Sequence, residues 1–128
     1  MHIDLNKFTE KSALALQDAQ ALTKQNDQQE IDVWHMLDAL LRQVGGIVPT
    51  LLERMEITPA AGLLAAERVL GELPKVSGGS PDSRQPYVSS ALQSTFSEAD
   101  KAKAELKDEY LSTEHLFLGL IASASGKL

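Results

Sequence analysis

Apolar residues recur near the start of the chain at spacings of three, four and seven. Phe8, Ala15, Leu16, Ala19 and Leu22 share one side of a helical wheel, and Gln20, Lys24 and Gln25 take the wet side. That period predicts a helix from Phe8 to about Gln25. The polar run Asn26 to Glu30 ends it, Ile31 plugs inward, and Asp32 offers a side-chain oxygen to cap a new helix. The second helix is expected from Val33 to Val44, with Met36, Leu37, Leu40, Leu41 and Val44 on its apolar face, and Gly45-Gly46 gives the left-handed freedom that stops it. A short third helix follows from Ile47 to Met55, where Pro49 is tolerated because it falls in the first turn. Thr58-Pro59, a cap followed by proline at the first helical position, starts a fourth helix carrying Leu63, Leu64, Ala66, Val69 and Leu70.

From Leu73 to Pro86 the chain turns to proline, glycine and serine and reads as an exposed connector. Helical spacing then resumes through Tyr87, Val88, Leu92, Phe96, Ala99, Ala102 and Leu106, breaks at Lys107 to Tyr110, recaps at Ser112 and continues from Thr113 to about Ala124. The two stretches are copies. Sliding the sequence by 80 residues lays Ala19, His35, Leu40 and Gly46 over Ala99, His115, Leu120 and Gly126, and pairs Leu16 with Phe96 and Ile31 with Leu111. A fixed offset of this kind is the mark of a structural repeat. The pattern therefore predicts one all-α domain, residues 1–128, built as a pseudo-twofold repeat of four-helix units. Repeat one spans about 8–72, the connector about 73–86, and a truncated repeat two about 87–128. With two helices fewer, the second unit would bare apolar faces, and self-association or a swapped partner is the expected consequence.

Composition narrows the classes of function. A chain of 128 residues buries roughly two-thirds of its unfolded surface without staples. The absence of cysteine excludes disulfides and thiolate metal sites and fits a reducing, cytoplasmic setting. The sequence has no apolar run of the ~20 residues that span a bilayer, and Met1 to Asn6 has no export signature. With 12 basic against 18 acidic side chains and a net charge of -6, the lysines lie dispersed among acids, and six aromatics give no base-stacking surface. Nucleic acid is therefore not an expected partner.

The segments Phe8-Thr9-Glu10-Lys11-Ser12, Leu16-Gln17-Asp18-Ala19 and Leu111-Ser112-Thr113-Glu114-His115-Leu116 resemble the paired repeat motif of the Clp chaperone N-terminal domain, across essentially the whole chain. Leu73-Pro74-Lys75-Val76-Ser77-Gly78, together with Gly45-Gly46 to Leu52, is most similar to the ClpB branch, the ATP-driven disaggregases. The resemblance implies a non-catalytic, substrate-binding module hung by a linker from a homo-hexameric ATPase ring, contacting unfolded or aggregated polypeptide before it is threaded. ATP would belong to modules beyond Leu128, with no cofactor in this domain. The ClpA and ClpC branches imply an alternative, docking of a folded adaptor for a partner protease.

By the same resemblance, Thr9, Asp108 and Glu114 match polar positions linked to substrate engagement beside a shallow apolar groove. Thr9 and Glu114 also have a plain structural use, as a helix cap and as an anion on the positive end of a helix dipole, and the two uses are compatible. The first repeat departs from the pattern: Val33-Trp34-His35 stands for Thr-Glu-His, and Gln28 stands where the second has Asp108, so an acidic rim belongs to one half only. Trp34 and Tyr110 are candidate contacts for apolar segments, or rings folded over the repeat interface.

Other chemistry finds little support. His35 and His115 fall short of the three or four convergent ligands of a zinc site, and buried histidines satisfied by backbone account for them better. No serine has the context of an activated nucleophile. Ser125-Gly126-Lys127-Leu128 resembles the end of a phosphate-binding loop but lacks its first glycine and its closing Ser or Thr.

Overall fold

Capping side chains decide where the helices begin. In the computed structural model, which describes residues 5–76 and 85–123, Thr9 Oγ1 accepts from the Ser12 N–H at 3.3 Å and opens α1, Glu10–Gln25, after a 3-10 turn at Leu5–Lys7. A short strand β1, Glu30–Ile31, leads to Asp32, whose carboxylate accepts from the Trp34 N–H and opens α2, Val33–Arg42. Helix α3, Ile47–Arg54, follows Gly46 without a side-chain cap. Thr58 caps α4, Pro59–Glu72, and Ser89 caps α5, Ser90–Glu105, after strand β2, Tyr87–Val88. Helix α6 is Thr113–Ser123. None of these helices is long and apolar enough to cross a membrane.

The 80-residue offset is a spatial symmetry. Thr9 and Ser89, one offset apart, are both N-caps and bond to the N–H three residues on. Strands β1 and β2 pair in parallel with Ile31 beside Val88, and the twofold-related pair, Leu111 beside Phe8, forms a parallel bridge. Matching backbone bonds close both: Thr9 N–H donates to Leu111 C=O at 3.0 Å and Ser89 N–H to Ile31 C=O at 3.1 Å. Helices α1 and α5 also end alike. Asp27 and Lys107 hold φ of 55° and 58°, while Gln28 N–H returns to Thr23 C=O and Asp108 N–H to Lys103 C=O. Each is a Schellman turn made without glycine.

One core runs between the repeats: Ala15 and Ala19 of α1, Met36 and Leu40 of α2, Leu92, Phe96 and Ala99 of α5, and Leu116 and Leu120 of α6. Helices α5 and α6 approach most closely at Gly119, where a Cβ would stand 2.5 Å from the Thr95 carbonyl oxygen. Arg42 ties α2 to α4, bonding Asp38 at 2.7 Å and Glu67 at 2.8 Å.

Several positions differ from the expectation. Val44 is 94% exposed, because α2 stops at Arg42 and the extended backbone of Gln43 carries the chain off the helical wheel. Leu64 is exposed because its direction lies almost opposite the buried Ala66 and Leu70, and Leu106 because it is the C-cap of α5. Phe8, Tyr87 and Val88 belong to the bridges rather than to helices. The chain start, residues 77–84 of the connector, Gly126 of the repeat alignment, the end of the last helix at Ala124 and the Ser125–Leu128 segment lie outside the described residues.

Candidate functional site

The Phe8–Leu111 bridge gathers four of the five candidates. Because Thr9 donates to Leu111 and Leu111 N–H donates to Lys7 C=O, the cap of α1 lies beside the turn that enters α6. That turn carries Asp108 and Tyr110, and the first turn of α6 carries Glu114. Tyr110 and Asp108 are exposed, while Thr9 and Glu114 are half-buried. Trp34 does not join them. It occupies the twofold-related place, beside the Ile31–Val88 pair, and packs half-buried against the core. The repeat offset already sets Trp34 opposite Glu114, and the cross-repeat pairing adds that Thr9, from the first repeat, stands with the second repeat's turn.

A buried histidine organises each face. Asp32 N–H donates to His35 Nδ1 at 2.9 Å, and Ser112 N–H donates to His115 Nδ1 at 2.8 Å. A ring nitrogen that accepts carries no proton, so the neutral ring bears its hydrogen on Nε2. His35 Nε2 then donates to Gln28 Oε1 at 2.6 Å and His115 Nε2 to Asp108 Oδ2 at 2.8 Å. Burial lowers the His35 pKa below 6.5 against the opposing pull of Asp32 and Asp38. The expected buried histidines are present, and each bonds a side chain as well as backbone. Those side chains, Gln28 and Asp108, lie seven residues before their histidines in both repeats, a regularity visible in the aligned sequence.

This geometry limits the chemistry. Ser112 Oγ lies 3.0 Å from His115 Nδ1, so Ser112, His115 and Asp108 have the composition of a hydrolytic triad. The Nδ1 lone pair is already held by the Ser112 N–H, which leaves no free base to activate the hydroxyl. The imidazole at the third helical position instead takes up the N–H of the residue before α6, as His35 does in the capping box of α2. No group of three or more His, Asp or Glu among the described residues could hold a metal ion.

The faces differ in what covers them. Gln28 is 3% exposed: its Nε2 donates to Leu70 C=O at 2.7 Å, and Val76 N–H donates to Asp27 C=O at 2.7 Å, so the end of α4 and the chain after it lie over this face. A cavity of about 260 Å³ remains there, between Gln28–Asp32, Leu73–Val76 and Tyr87. A second, of about 210 Å³, lies beside Trp34, between Val33, Val69, Leu73 and Ala91. The Asp108 side chain, by contrast, is 50% exposed.

Comparison with known proteins places this geometry. Residues 7–128 match the family model of the Clp repeat (R) N-terminal domain. The chain is 44% identical over 119 residues to the chaperone protein ClpB of Nitratidesulfovibrio vulgaris, covering 93% of this chain and 14% of that protein. It thus spans about one-seventh of the length of that relative. The fold matches the Hsp104 N-terminal domain from Candida albicans with a TM-score of 0.76 at 22% identity, covering 93% of this chain and 76% of that one. It also matches a ClpV N-domain in complex with a VipB peptide, with a TM-score of 0.71 at 20% identity and coverage of 100% and 86%. The chain belongs to the Clp N-terminal domain family, and its sequence relatives include ClpB chaperones.

Proposed function

We propose that this domain is the substrate-binding module of a ClpB-type ATP-dependent chaperone, holding unfolded or aggregated polypeptide for a hexameric cytoplasmic ATPase ring to thread. The observation that carries the reading is the open face at the Phe8–Leu111 bridge, where Thr9, Asp108, Tyr110 and Glu114 meet, in a chain 44% identical to a ClpB chaperone. The domain itself is non-catalytic on this reading: it binds, and the chemistry of ATP lies elsewhere. A shallow face with an exposed ring and acidic edges suits loose binding of many sequences, because unfolded chains present apolar groups without fixed geometry. Several copies on one ring would turn weak contacts into a firm hold. Peptide binding by the structurally similar ClpV N-domain supports polypeptide as the ligand class.

The test is fluorescence anisotropy with a permanently unfolded, labelled polypeptide and a folded protein as control. The unfolded chain is expected to bind weakly. The double variant Asp108→Asn, Glu114→Gln is expected to weaken it about tenfold, which corresponds to ~1.4 kcal/mol. Asn keeps an oxygen for His115, so the fold is retained. Binding of a folded partner in preference to the unfolded chain would turn the reading toward adaptor docking, as in the ClpA and ClpC branches. Binding of neither would leave the domain a structural spacer and contradict it.

A further inference from the structure

The two faces are related by the offset that relates the repeats, yet one is covered and the other open. On the covered face the chain lays an extended segment, Leu73-Pro74-Lys75-Val76, against the turn after α1. One bond of 2.7 Å seats it, Val76 N–H on the Asp27 carbonyl, and a second of the same length, the Gln28 amide on the Leu70 carbonyl, holds the end of α4 that leads into it. The same turn recurs after α5 with the same left-handed residue, φ 55° at Asp27 and 58° at Lys107. Among the described residues nothing lies over it, and Asp108 stands 50% exposed where Gln28 is 3% exposed. The Lys107 carbonyl, counterpart of the acceptor that Val76 uses, receives no hydrogen bond from a described residue.

We infer that the covered face is an internal template for the open one: an extended polypeptide with an apolar, basic, apolar order docks at Lys107–Ser112 as Leu73–Val76 docks at Asp27–Asp32. The inference rests on the function proposed above and names the ligand's conformation and chemistry. The exchange of Gln28 for Asp108 decides the chemistry. An amide can donate to a backbone carbonyl, as Gln28 does to Leu70, but a carboxylate only accepts. The incoming chain therefore presents a donor at Asp108, either a backbone N–H or an ammonium. The acids also move: Asp27, Glu30 and Asp32 give way to Lys107, Tyr110 and Ser112, while Gln29 and Trp34 give way to Glu109 and Glu114, so the carboxylates of the open face gather around Asp108 in the sequence. Tyr110 supplies apolar area for the flanking residues, as a half-exposed ring at such a face does. Recognition by main-chain bonds with a side-chain preference tolerates many sequences.

The probe is the hexapeptide acetyl-Gly-Leu-Pro-Lys-Val-Gly amide, titrated into the isotopically labelled domain and followed by amide shifts. Shifts are expected at Lys107–Ser112 and absent at Gln28–Asp32. Methylating the valine nitrogen removes the donor that matches Val76 N–H and is expected to weaken binding at least threefold, within the ~2–10-fold worth of one hydrogen bond. Replacing the peptide lysine with glutamate is expected to weaken it at least as much. Equal binding of the methylated peptide, or shifts at Gln28–Asp32, would overturn the inference. So would movement of the Lys107–Ser112 resonances on dilution without peptide, which would make a second copy the occupant. An unfolded polypeptide run in parallel separates the two claims. If it shifts the open face and the hexapeptide does not, the template fails and the proposed function stands; if neither does, both fail.

Discussion

At the scale of single residues, His35 shows how burial and capping act through one ring. Its Nδ1 completes the capping box of α2 and its Nε2–H satisfies the buried Gln28. Burial lowers its pKa below 6.5, so the folded protein holds the ring neutral where the unfolded chain takes a proton. Stability from this group is full above about pH 6.5 and falls as pH drops from 6.5 toward the lowered folded value, with a limiting slope of ~1.4 kcal/mol per pH unit. His35→Gln keeps an acceptor for the Asp32 N–H and removes the titration. Urea denaturation from pH 7 to pH 5 is expected to show a shallower loss for the variant, together with a cost of ~1–2 kcal/mol at pH 7 for the lost bond to Gln28. Lys107 makes a second residue-scale case. It is held at φ 58°, a conformation that costs a side-chain residue and not glycine. Lys107→Gly is expected to stabilise the fold by ~0.5–1 kcal/mol in the same assay.

At the scale of elements, the helices were legible because their signals are local. Caps at Thr58 and Ser112, the proline after Thr58 and the glycines after α2 stand in the sequence where the helices break. The short strands were not legible: two residues carry no period, and Val88 joins the sheet, and Phe8 its isolated bridge, only because the other repeat presents Ile31 and Leu111. For the same reason the grouping of Thr9 with Asp108 and Glu114 came from resemblance rather than from pattern, whereas the 80-residue offset already set Trp34 in the other half, opposite Glu114. The α5–α6 contact carries a sharper test. Its spacing depends on Gly119, where a methyl group would meet the Thr95 carbonyl oxygen at 2.5 Å and the Ala99 nitrogen at 3.0 Å. Backbone atoms cannot step aside as a side chain can. Gly119→Ala is expected to cost ~1–3 kcal/mol by forcing the helices apart, read as a lower denaturation midpoint. The repeat partner of Gly119 is Ala39, a buried methyl that α2 accommodates, so the first pair of helices has room the second lacks.

At the scale of the molecule, a near-symmetric scaffold carries asymmetric surfaces. The twofold relation fixes two equivalent bridges, two histidine-centred caps and two turns of the same hand. What breaks the symmetry is Asp108 for Gln28, Glu114 for Trp34 and, among the described residues, a chain segment over one face only. The central claim is that polypeptide is held at the open, acidic face. The direct test is an amide-shift titration of the labelled domain with a permanently unfolded polypeptide, beside a natively folded control. The account predicts shifts at Thr9, Asp108, Tyr110 and Glu114 with the unfolded chain, and none of that pattern with the folded protein. Shifts confined to Gln28–Trp34, or no shifts with either, would contradict it.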